Sequence, residues 1–173
     1  MTGAGAGVEG GMKKRMLAGL LVAGCGAPGE ARDASGATVV GRIQGTEFLE
    51  PDEAAAVWLE NDAHGLGALR VSEGADGCGA PDGWSLLVQV NLSEEDHYDL
   101  GAEDGEPGKG FLVEYRREDG SLDMPAAATG TLDVVARDDE VIAGALVLLT
   151  AESATFTAVF EAPICPAATL IAP

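Results

Sequence analysis

From Thr38 onward, apolar and polar side chains alternate with a period of two, and clusters of Gly, Pro and Asp break the alternation every ten residues or so. Successive side chains of a pleated strand point to opposite faces, so this pattern describes a series of half-buried antiparallel strands. Between Trp84 and Leu92, the residues Leu86, Val88, Val90 and Leu92 share one face, against Ser85, Gln89, Asn91 and a lone apolar Leu87. From Gly110 to Arg117, Phe111, Val113 and Tyr115 oppose Leu112, Glu114 and Arg116. Leu132, Val134 and Ala136 alternate with Thr131, Asp133, Val135 and Arg137, and Phe156, Ala158, Phe160 and Ala162 with Thr155, Thr157, Val159 and Glu161.

Turn chemistry separates these runs. Asp138 and Asp139 give the short spacing of a hairpin, with Val141 to Thr150 as its returning arm. Ala151 to Ala154 makes the next connection, so residues 130–163 read as a three-stranded meander. Thr38 to Phe48 and Leu66 to Ser72 are further strands, interrupted by Gly41, Gly45 and Gly67. Pro51 to Asn61 reads as a strand around Trp58, with a helix as the alternative because Asp52 and Glu53 lead a run of alanines. Seven or eight short strands predict an antiparallel β-sandwich over residues 38–173.

The chain of 173 residues is long enough for one domain with a packed core. It carries 29 acidic against 10 basic side chains, a net charge of −19. A field of that sign repels phosphate backbones, which argues against nucleic acid as a partner.

Ahead of the alternation, Met12 to Cys25 reads MKKRMLAGLLVAGC: Lys13, Lys14 and Arg15, an apolar stretch from Met16 to Ala23, then small residues and a cysteine. The apolar stretch is under half of the roughly 20 residues needed to span a bilayer, which is the layout of a signal peptide. Val22, Ala23, Gly24 and Cys25 resemble the lipobox of bacterial lipoproteins. The resemblance implies that the Cys25 thiol carries a diacylglyceryl group, that the Gly24–Cys25 bond is cut, and that the new amino terminus is acylated. Several acyl chains anchor a protein where a single one does not. Residues 1–24 are then a signal peptide, with Met12 as a possible true start. Residues 25–37, small and polar, are a lipidated flexible tether. The membrane is thus a partner through the lipid anchor. Gly26, in place of an aspartate that would act as a retention signal, favours the outer membrane of the cell envelope.

With Cys25 given to lipid, Cys78 and Cys165 remain, and an even number in an exported protein points to a disulfide. Zinc is the other use of such residues, but His64 and His97 lack ligand spacing with either cysteine. Three closing segments, GTLDV from Gly130, GALVL from Gly144 and FTAVFEAPIC ending at Cys165, resemble the end of small all-β lipoproteins of GC-rich Gram-negative bacteria. In those proteins the last cysteine pairs with one in a mid-domain loop, which again implies Cys78 with Cys165. Ala154 and Thr155 stand where a glycine is usual, a departure from the pattern. The resemblance implies a fold and an address, and no activity.

None of the hydrolase elbow, zinc-protease helix, phosphate loop or dinucleotide motifs is present. His64, in NDAHGLG, is a loop histidine with no evident nucleophile to serve. Ser93 to Lys109 is rich in carboxylates, and Glu94, Glu95, Asp96, Asp99 and Asp104 are candidate calcium ligands, although the EF-hand spacing is missing. A solvated acidic loop is the alternative, and no other cofactor is expected. The expected function is a non-enzymatic, envelope-associated structural or binding module. The alternatives are a carbohydrate- or calcium-dependent adhesion module, with Trp58, Trp84 and Tyr98 as stacking surfaces, and a hydrolase built on a carboxylate pair.

Overall fold

A computed structural model describes residues 35–43, 45–74, 77–81, 83–93, 96–101, 108–123, 129–150 and 153–167. The strands are β1 (Ser35–Ile43), β2 (Thr46–Asn61), β3 (Leu66–Ser72), β4 (Ser85–Asn91), β5 (His97–Leu100), β6 (Lys109–Arg116), β7 (Leu122–Asp123), β8 (Thr129–Arg137), β9 (Val141–Leu149) and β10 (Thr155–Pro166). One 3-10 turn, Asp62–His64, joins β2 to β3. Pro51 to Asn61 is strand throughout. β1 begins at Ser35, ahead of the expected Thr38, and the stretch from Thr38 to Phe48 is two strands folded back at Gly45, with Ile43 paired to Thr46.

The strands form a closed nine-stranded barrel and not the sandwich that strand count and alternation predict. Both architectures bury one face of every strand, so the period of two cannot separate them. Closure comes from pairings between strands distant in sequence. The meander β1 to β4 and the meander β8 to β10 have open edges at β1, β4, β8 and β10. β1 bonds to β10, and β4 reaches β8 through β6 and then β5, which consumes all four edges. β7 pairs only with the last residues of β6.

Among the described residues two pairings are parallel. β5 and β6 run side by side in the same direction, which puts Asp99 beside Lys109. At the end of the barrel where β1 starts, β10 runs on past β1 and pairs with β2 instead, bringing Cys165 beside Leu59. We call this the entry end.

The interior is packed with side chains. Trp58 and Tyr98 lie toward the entry end, their ring centroids 6.4 Å apart. At the far end Phe48 packs edge-on to Trp84 at 5.0 Å and to Phe156 at 5.5 Å, and the Tyr115 hydroxyl donates to Thr46 Oγ1 at 2.9 Å. Leu69, Leu86, Val88, Leu132, Leu146 and Leu148 are among the fully buried residues of the same core. Each such side chain removed from water contributes roughly 1.5–3 kcal/mol, so filling the lumen is the main stabilising term.

A bulge in β8 corrects one expected face. Val134 pairs with Gly144 and Ala136 with Ala143, so Val135 is the extra residue and stands 76% exposed. Beyond it the alternation inverts. Ala136, expected to face inward with Leu132 and Val134, turns outward, and Arg137 pairs with the buried Ile142 and points into the entry end.

Candidate functional site

The alternation of β2, β3, β4 and β6 leaves Leu59, Arg70, Leu87, Glu114 and Arg116 on the outside of the barrel. An arginine in the middle of the apolar run LGALRVS is tolerated there because its side chain faces away from the core. The long connection from β3 to β4 folds back over this outer face. Its base is fixed by a bond from the Glu73 N–H to the Trp84 carbonyl at 3.1 Å. Further along, the Arg70 guanidinium donates to the carbonyls of Gly77 at 2.8 Å and Gly79 at 2.5 Å. Cys78, between those two glycines, is joined to Cys165 in a disulfide with Cα atoms 5.6 Å apart. Cys165 itself is fully buried.

The strapped loop and β7 enclose a groove of about 330 Å³. Its lining includes Leu59, Leu87 and Leu122 as apolar surface, with Arg70, Glu114 and Arg116 as charged groups. That volume lies at the lower end of the range for small-molecule sites. Around the floor, Leu66, Ala68, Leu59, Leu87 and Ala167 form a second apolar cluster outside the barrel.

At the entry end, Glu60 Oε1 accepts from the Trp58 indole N–H at 2.7 Å and from Arg137 Nη2 at 2.5 Å. Burial pushes the Tyr98 phenol above its ordinary value, with nearby Asp96 and Glu60 acting in the same direction and Arg137 against it. Gly67 makes room for this arrangement, because a Cβ there would meet the Trp58 ring at 2.6 Å. These groups close the end of the barrel.

A third polar cluster lies on the outside of β5, β8 and β6. His97 Nδ1 sits 2.5 Å from Asp133 Oδ1, His97 Nε2 lies 3.4 Å from Asp99, and Lys109 Nζ donates to Asp99 at 2.7 Å. The hydrogen bond with Asp133 raises the His97 pKa, and the Lys109 ammonium lowers that of Asp99. The ladder ties the four-residue β5 to both of its neighbours.

Of the candidate calcium ligands, Glu94, Glu95 and Asp104 lie outside the described residues. Asp99 is engaged by Lys109 and His97, and Asp96 is exposed, its backbone carbonyl accepting from the Val134 N–H. Among the described residues no group of three or more His, Cys, Asp or Glu is placed to hold a metal ion. His64 is exposed on the 3-10 turn, next to Gly65 in the left-handed conformation. Trp58, Trp84 and Tyr98 are buried in the core and offer no stacking surface. Cys25 lies outside the described residues.

Sequence reasoning missed Arg70, Arg116 and Leu122. The available signal was an arginine inside an apolar strand and an Arg116-Arg117 pair in an acidic chain. The fold and groove thus define a packed, disulfide-strapped β-barrel with a polar-rimmed groove on its outer wall. Compared with family models, with curated proteins and with solved structures, the chain matches none.

Proposed function

We propose that the chain is an exported module of the bacterial cell envelope, lipid-tethered through Cys25, that binds a partner in its outer groove without chemical conversion. The observation that carries the reading is the Cys78–Cys165 disulfide and its position. Disulfides persist in oxidising compartments, and this one holds the loop that walls the groove. The loop that walls the binding surface is therefore held by a bond that persists where an exported chain meets an oxidising compartment. The packed lumen supports the choice of the outer wall, because Trp58, Tyr98, Tyr115 and Phe156 occupy the space in which a hollow barrel would hold a ligand. The lipobox-like residues ending at Cys25 lie a short way before β1 at Ser35, which supports a body held close to its membrane. Gly26 makes the outer membrane the preferred address.

The test is metabolic labelling with radioactive palmitate, followed by membrane fractionation of cells producing the wild-type chain or Cys25→Ser. The expected result is label on the wild-type protein in the membrane fraction and none on the variant. An unlabelled, full-length wild-type product in the cytosol contradicts the proposal.

A further inference from the structure

The groove has a direction. Arg116 pairs across the strands with Ser85 and with Leu122, the next row outward on the same face holds Arg70, Leu87 and Glu114, and Leu59 lies one row beyond, paired with Ala68. Rows on one face are two residues apart, so Arg116 and Leu59 are separated by about 13 Å along the strands. Arg116 marks one end, Arg70 and Glu114 flank Leu87 in the middle row, and the far end at Leu59 is apolar. Among the described residues, Arg42, Lys109 and Arg137 are held in ion pairs with Glu47, Asp99 and Glu60, and Arg70 is directed at loop carbonyls. Arg116 is exposed and has no such partner there, in a chain whose net charge is −19.

Resting on the reading of the groove as a binding surface, we infer that its ligand is a monocarboxylate with an unbranched aliphatic tail. The carboxylate sits on the Arg116 guanidinium beside the Ser85 hydroxyl, where a charge-assisted pair is strongest. The tail runs over Leu87, with Leu122 as one wall, toward Leu59 and the disulfide-strapped loop. Glu114 faces the middle of that path, and Arg70 across from it is directed at the Gly77 and Gly79 carbonyls, so the second carboxylate of a dicarboxylate gains no partner there.

The experiment is methyl NMR on the full chain in lipid nanodiscs, titrated separately with hexanoate, hexanol, hexylamine and adipate at measured free concentrations. Hexanoate is expected to shift the methyl signals of Leu87 and Leu122 and to leave those of the core residues Leu146 and Leu148 in place. Hexanol and adipate should bind about tenfold more weakly, hexylamine should not bind, and Arg116→Gln should weaken hexanoate about tenfold, the loss of one hydrogen bond to a charged group. If hexanol, hexylamine or adipate binds at these methyls as tightly as hexanoate, the ligand class is overturned and the groove stands as a binding surface. If none of the four probes moves these methyls, both the ligand class and the groove are overturned.

Discussion

His97 stands between Asp133 and Asp99 on the outside of the barrel, and its neighbours favour the charged imidazolium. A histidine whose pKa is raised on folding contributes stability that is complete below its unfolded value, about 6.5, and lost as pH rises through the folded value. Titration of the imidazole signals by NMR should place the His97 midpoint above 6.5, and Asp133→Asn should bring it back toward 6.5. An unchanged midpoint in the variant contradicts the assignment of the shift to Asp133. Glu60 is the other residue on which much turns, because it satisfies the buried indole N–H of Trp58. Glu60→Ala leaves that donor without its acceptor and should cost about 1–3 kcal/mol in urea unfolding. A change within error of zero would show that the pair does not close the barrel end.

Among the elements, the β3–β4 loop and the β8 bulge do the most to build the surfaces described above. The disulfide joins residues 87 apart, so Cys165→Ser should lower stability by about 4.5 kcal/mol in the chain-entropy account. Equilibrium unfolding checks this, and a loss below about 1 kcal/mol would mean that the Arg70 bonds hold the loop unaided. Deleting Val135 should restore plain alternation to β8 while keeping Ala136 opposite Ala143 and Arg137 opposite Ile142, so the Arg137–Glu60 pair should survive. In that background Arg137→Ala should cost as much as it does in the wild type, the mark of two independent changes, whereas a vanished cost would show that the bulge sets the Arg137–Glu60 pair.

Most strands were legible because their alternation is long: Leu66–Ser72 is the strand that sequence predicts, β4, β6 and β9 differ from expectation only at their ends, and β8 differs there and at its bulge. β5 was not, since HYDL alternates over four residues inside an acidic stretch that reads as loop. The bulge was also hidden. Nothing in DVVAR marks Val135 as the extra residue, and its effect is felt only through the register with β9. The cysteine pairing was readable from the even number left once Cys25 is given to lipid and from the expected export, whereas the groove it walls depends on a loop path that no local signal encodes.

At the scale of the whole molecule, the ring of strands makes the ends of the described chain interdependent. β1 and β10 are neighbours, and the aromatic groups at both ends share one core. A domain of this size with a single core should unfold in one step. Trp58 and Trp84 occupy opposite ends of the barrel, so tryptophan fluorescence and far-ultraviolet circular dichroism should give coincident urea transitions; separated transitions would indicate two independent halves. Sequence pattern could not choose a barrel over a sandwich, because that choice lies in which edges meet, and β4 meets β6 and β1 meets β10 across long stretches of chain. The β4–β6 seam also places Arg116 and Glu114 beside Ser85 and Leu87, so the groove exists only if the ring is closed.

The decisive measurement is therefore a set of cross-strand nuclear Overhauser contacts at the closing seams, between Val88 and Val113, Leu100 and Gly110, Tyr98 and Leu132, and Val39 and Ala158. A closed barrel gives all four in the same sample. Absence of the Val88–Val113 contact, with the Val39–Ala158 contact retained, would open the ring at the groove and contradict the account of how this protein presents its binding surface.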